Sequence, residues 1–109
     1  MKTQNKVQLI GYIGADPEVK TTSGGTTVAK MRMATDEFFR DSSGNTQKVT
    51  TWHDIRIWDQ LAASIQGNFT KGSHVLVEGK INYRTYEDKS GHLRYVTEIK
   101  ALRLLNLDR

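Results

Sequence analysis

The chain has 109 residues, no cysteine, and sixteen Lys and Arg against twelve Asp and Glu, for a formal charge of +4. That length fits one domain with a modest core, and the missing thiols exclude disulfides, cysteine-ligated zinc and thiol catalysis. The basic balance leans towards polyanionic partners without selecting one, and no apolar run nears the roughly 20 residues of a membrane-spanning helix.

The start, Met1-Lys2-Thr3-Gln4-Asn5, lacks the apolar block of a signal peptide. The expectation is a cytoplasmic protein, with no membrane association, folded as a single domain over residues 1–109. Val7, Leu9, Gly11 and Ile13 then alternate with Gln8, Ile10 and Tyr12, as in a strand with one buried face. Asp16-Pro17 bends the chain, and Glu18 to Thr22 reads as a short continuation of that strand. Ser23-Gly24-Gly25 is a turn signal, and Thr26 to Thr35 is the second strand. Asp41 to Asn45 forms a polar loop. Lys48 to Trp58 is the third strand, with Val49, Thr51, His53, Ile55 and Ile57 on one face and Trp52, Asp54, Arg56 and Trp58 on the other.

After Trp58 the period changes. Leu61, Ile65 and Phe69 lie four apart, so Asp59 to about Asn68 reads as one short helix with Asp59 as its N-cap. Ser73 to about Tyr86 is the fourth strand, Asp88-Lys89-Ser90-Gly91 a turn, and Leu93 to Leu105 the fifth. The fold class is all-β. Five strands with one helix between the third and fourth is the order of an OB-fold barrel. The helix position selects it over a sandwich or another small barrel.

Little here suggests catalysis. His53, His74 and His92 lack metal-ligand spacing, and His53 shares parity with Ile55 and Ile57, which favours a core or subunit contact. Gly11-Tyr12-Ile13-Gly14 lacks the Lys-Ser/Thr of a phosphate loop. No enzyme, metal or cofactor is expected.

The aromatics carry more information. Trp52 and Trp58 share the polar face of their strand with Asp54 and Arg56, and Tyr86 shares parity with Lys80, Asn82 and Arg84. Phe38 and Phe39 sit between acidic residues and Arg40 at the mouth of a loop. Exposed rings offer stacking surfaces to bases of any sequence, and nearby cations neutralise phosphates. Tyr12, Tyr83 and Phe69 are assigned to packing.

Several segments together resemble the bacterial single-stranded DNA-binding proteins. They are Asn5 to Gly11, Gly14-Ala15-Asp16-Pro17-Glu18-Val19, Ala34-Thr35 with Arg40-Asp41, Thr51-Trp52-His53, Gly72-Ser73, Val77 to Ile81 and Arg94 to Glu98. The resemblance implies sequence-independent binding of single-stranded DNA, protecting it in replication, recombination and repair. By position it matches base-stacking residues to Phe39, Trp52, Trp58 and Tyr86, and phosphate contacts to Lys6, Arg56, Lys80 and Arg84. It implies a homotetramer in which first strands pair between subunits, with Val7, Leu9, Ile10, Tyr12 and His53 at the contacts. An edge as apolar as Val7 to Ile10 invites such pairing on physical grounds. The family's Gly- and Pro-rich extension with an acidic tip is not matched, since this chain stops at Asn106-Leu107-Asp108-Arg109. Recruitment of replication and repair proteins through such a tip is thereby in doubt. Two other readings share the barrel: a protein-interaction OB domain of a replication-restart assembly, and an RNA-binding OB domain. The choice of DNA over RNA rests on the resemblance.

Overall fold

Alternating apolar side chains give six strands in the computed structural model, which describes residues 2–108. Met1 and Arg109 lie outside the described residues. The strands are β1 (Val7–Ile13), β2 (Glu18–Thr21), β3 (Thr27–Arg40), β4 (Thr46–Trp58), β5 (His74–Glu87) and β6 (Leu93–Asn106), with α1 (Asp59–Ala63) between β4 and β5. They form one sheet in the order β1-β5-β6-β4-β3-β2, and β1 also pairs with β3 at Tyr12–Ala34 and Ile13–Met33. That second pairing closes β1, β3, β4, β6 and β5 into a five-stranded OB barrel, as expected. β2 pairs with β3 alone and stands outside the closed ring. It is therefore a separate strand and not a continuation of β1.

Closure requires backbones to meet where a side chain would intrude. A β-carbon at Gly11 would collide with the carbonyl of Ala34 on β3, so only glycine lets β1 cross there. Inside the ring, residues two apart on each strand meet: Met31 and Met33 of β3, Ile55 and Ile57 of β4, Val75 and Val77 of β5, and Ile99 and Ala101 of β6. Each fully buried Ile or Val contributes about 1.5–3 kcal/mol. Ala62, Ile65 and Phe69 complete the core. On β6 the register shifts by one residue, because Glu78 faces Arg103 while Gly79 faces Ala101. Leu102 is the extra residue of this bulge and is 62% exposed.

The helix is shorter than its apolar spacing suggested. Hydrogen bonding changes to the three-residue pattern at Ile65 N–H to Ala62 O, and Gly67 adopts φ +81, which ends the turn. Ile65 and Phe69 are nevertheless buried, so the four-residue spacing marked core positions without marking helix. Asp59 is not the N-cap. Trp58 holds that position in extended geometry with no side-chain cap, and Asp59 itself lies at φ +59.

Two hairpins project from the barrel. β5 is paired on both sides as far as Gly79, then continues with β6 alone to Glu87. β3 and β4 likewise run together to Arg40 and Thr46. These arms raise the radius of gyration to 16.3 Å, against about 13 Å for a globule of this size. They also explain a correction. Tyr83, assigned to packing by its parity, is 76% exposed because β5 has left the core by that point. Tyr12 is also exposed and stacks on His74, with ring centroids 4.7 Å apart. Among the described residues, no helix is long and apolar enough to cross a membrane.

Candidate nucleic-acid interface

The inward set Met31, Met33, Ile55 and Ile57 forces the intervening residues of β3 and β4 outward. Their register makes four outward pairs: Val28 opposite Trp58, Lys30 opposite Arg56, Arg32 opposite Asp54, and Ala34 opposite Trp52. Trp52 and Trp58 are thus in one row on one strand, six residues or roughly 20 Å apart, with a guanidinium between them. They are 49% and 36% exposed.

Trp52 is held from two sides. A β-carbon at Gly14 would run into the edge of its six-membered ring, so the indole packs against backbone that carries no side chain there. The Arg32 guanidinium sits 5.1 Å from its centroid, at cation–π range. Arg32 also pairs with Asp54 at 3.4 Å. Tyr86, on the β5–β6 hairpin, is 46% exposed and has the Arg84 guanidinium 5.9 Å from its ring. Phe39 is half exposed near the β3–β4 tip, but alternation puts it on the opposite face of the hairpin from Trp52. Phe38, opposite Lys48, is the ring in the Trp52 row, at 67% exposed.

The basic residues divide. Arg56 and Arg84 converge on one buried carboxylate, Glu98, which is 4% exposed. Arg56 Nε lies 3.3 Å from Oε2, and Arg84 reaches both oxygens at 3.4 Å. The three side chains line a cleft that also contains Lys30, Arg32 and Asp54. Four cations and four carboxylates (Asp16, Glu18, Asp54 and Glu98) make this cleft close to neutral. Lys80 lies beyond it, exposed and without an ion pair among the described residues. Lys6 is elsewhere: it shares Glu78 with Arg103, at 3.9 and 2.9 Å, on the β1 side of β5. The structure therefore does not bring Lys6 to Arg56 and Arg84.

Both hairpin tips are built alike. Asp41 Oδ1 accepts the N–H groups of Ser43 and Asn45, and Oδ2 accepts the Gln47 amide. Asp88 Oδ1 accepts those of Ser90 and His92, and Oδ2 binds Arg94 at 2.8 Å. Hydrogen bonds from Gln47 and from Arg94 are the main cause that holds each carboxyl below its usual 3.8, with backbone N–H groups adding to it. The tips that carry the outlying rings are thereby fixed.

The expected contact strand is split by its own alternation. Val7 and Leu9 pack against the core, while Ile10 and Tyr12 are each 54% exposed. β1 reaches β3 only at Tyr12 and Ile13, so its edge from Val7 to Gly11 is unpaired on that side. His53 is half-buried, its Nε2 2.9 Å from Thr35 Oγ1.

The sequence reading gave Arg32, Lys30, Lys100, Glu98 and Gly14 no role at the site, although Gly14 and Glu98 lie in the segments that carry the resemblance. Only cross-strand register and the packing of Trp52 on Gly14 reveal them. No group of three or more His, Asp or Glu able to hold a metal is present among the described residues.

This architecture has known counterparts. Residues 4–107 match the single-strand binding protein family. The chain is 45% identical over 96 residues to the single-stranded DNA-binding protein 1 of Chlorobaculum tepidum, covering 87% of this chain and 59% of the relative. It is 40% identical over 97 residues to the single-stranded DNA-binding protein of Xylella fastidiosa Temecula1, covering 89% and 59%. It thus spans about three fifths of these curated relatives. Among solved structures it resembles a Plasmodium falciparum SSB in complex with ssDNA, with a TM-score of 0.85, 34% identity, and 99% and 98% of the two chains covered.

Proposed function

The chain belongs to the single-strand binding protein family, and from that premise we propose that it binds single-stranded DNA without sequence preference, as a non-catalytic protector of exposed strands in replication, recombination and repair. The observation that carries this is the outward row of β4, where two exposed indoles flank a guanidinium on the wall of a closed barrel. Bases stack on Trp52, Trp58 and Tyr86, with Phe38 adding a ring to the same row at the β3–β4 tip and Phe39 offering one on the other face of that hairpin. Each stacked base contributes about 1–3 kcal/mol. Arg56, Arg84 and Lys80 meet phosphates, and Lys6 meets strand that continues past β1.

The unpaired β1 edge supports a homo-oligomer, with Ile10 and Tyr12 covered by a second copy and a tetramer as the family-like assembly. Such a protein acts beside the chromosome in the cytoplasm.

The test compares two measurements on the same variants. Trp52→Ala and Trp58→Ala are expected to weaken poly-dT binding by about 1–3 kcal/mol each while remaining folded. Phe69→Ala, in the core, is expected to lose stability instead, by about 3–5 kcal/mol. Tryptophan variants that bind normally per folded molecule overturn the proposed site.

A further inference from the structure

Lys80 of β5 lies directly opposite Lys100 of β6, Lys100 is the register partner of Arg56 on β4, and Arg56 lies opposite Lys30 on β3. Ladder partners project from the same face. Four adjacent strands therefore place one cation each in a single line across the outside of the barrel. At about 4.8 Å between neighbouring strands the line is roughly 14 Å long. It ends at Glu18 of β2, opposite Lys30, and of the four cations Arg56 is the one that Glu98, shared with Arg84, lies against. Lys30, Lys80 and Lys100 form no ion pair among the described residues.

Like charges directly opposite one another destabilise a sheet. A single such pair is ordinary. A row of four, on strands drawn from distant parts of the chain, sets cation beside cation on the wall that also carries Trp52 and Trp58, offset by Glu18 at the Lys30 end and by Glu98 at Arg56 while Lys80 and Lys100 face each other unpaired. Nothing in the packing requires it, since Lys30 and Lys80 are exposed and Lys100 is only half-buried.

We propose that Lys80, Lys100, Arg56 and Lys30 form a phosphate track that leads the backbone of a bound single strand transversely across β5, β6, β4 and β3. This rests on the function proposed above and extends it: Lys100 and Lys30 become phosphate ligands, and the strand crosses the barrel at right angles to the Trp52–Trp58 row. Phosphodiester binding relieves the repulsion that the DNA-free sheet carries.

The test uses Lys30→Gln, Lys100→Gln and the double variant of the whole chain, titrated with oligo-dT at several salt concentrations and followed by tryptophan emission. Each lost phosphate contact lowers the salt slope by about 0.7, and the double variant by about 1.4. Over a fourfold rise in salt, the double variant then loses about sevenfold less affinity than the unaltered chain. Its quenching at saturation is retained, because the indoles are untouched. Without DNA at low salt, the double variant melts higher than the unaltered chain, and the gap narrows as salt screens the row. An unaltered slope in the double variant, with the unaltered chain still quenched by DNA, overturns the track and leaves the stacking site standing. A melting point that does not rise at low salt also overturns it. No quenching in the unaltered chain overturns the stacking site itself.

Discussion

Replacing Glu98 by Gln removes one charge and no volume from the point where two guanidiniums meet. The carboxylate is 4% exposed, and the Arg56 side chain is 19% exposed. Hydrogen bonds to a charged group contribute about 1.5–3 kcal/mol. The distances of 3.3–3.4 Å are long for charge-assisted bonds, which puts Arg56 at the lower end, about 1.5 kcal/mol. Arg84 is 38% exposed, so solvent screening limits its share to about 0.5 kcal/mol. The expected loss is about 2 kcal/mol. For a domain near this length that lowers Tm by about 8 °C, at about 4 °C per kcal/mol. Glu98→Gln also leaves both guanidiniums uncompensated in the cleft, so the folded variant binds DNA with a steeper salt dependence. Thermal melts at neutral pH and low salt, followed by the same titration, read both effects. A Tm within about 2 °C of the unaltered chain, or a flatter salt slope, refutes the reasoning, since either means that Glu98 does not hold Arg56 and Arg84.

Gly14→Ala drives a methyl group into the Trp52 ring, and overpacking of this kind costs about 1–3 kcal/mol. The loss is expected to shrink in the Gly14→Ala, Trp52→Ala double variant, a coupling that a double-mutant cycle measures directly. Asp41 and Asp88 titrate below 3.8 because the folded hairpins stabilise their charged forms. Their contribution is thus complete above that pH and lost as pH falls through the folded values, and carboxyl titration by NMR, compared with Arg94→Gln, reads the Asp88 share. Sedimentation is expected to find a multiple of the 12.4 kDa chain, and Ile10→Lys to shift it towards the monomer. A lone 12.4 kDa species of the unaltered chain at micromolar concentration contradicts pairing through β1.

Strand alternation made much of this legible. Along β4 it put Ile55 and Ile57 inside and Trp52 and Trp58 outside, where the structure has them. The same rule misled at Tyr83, because parity says which way a side chain points and not whether a core still lies there. Spacing found Ile65 and Phe69 as buried, but the helix stopped at Ala63 once bonding tightened and Gly67 turned left-handed. The row of cations was out of reach for a different reason. Lys30, Arg56, Lys80 and Lys100 become neighbours only through register, and the parallel β4–β6 pairing that sets Arg56 beside Lys100 joins strands whose partnership no local pattern encodes. Glu98 was hidden likewise, as one carboxylate among twelve until two arginines from other strands closed on it.

The central claim is that exposed indoles on this barrel stack on unpaired bases, and tryptophan emission during titration tests it most directly. With oligo-dT the account predicts saturable quenching whose midpoint moves to higher DNA concentration as salt rises. With a duplex of equal length, whose base faces are covered, it predicts far weaker binding and little quenching. Equal affinity for duplex and single strand, or binding without quenching, contradicts it.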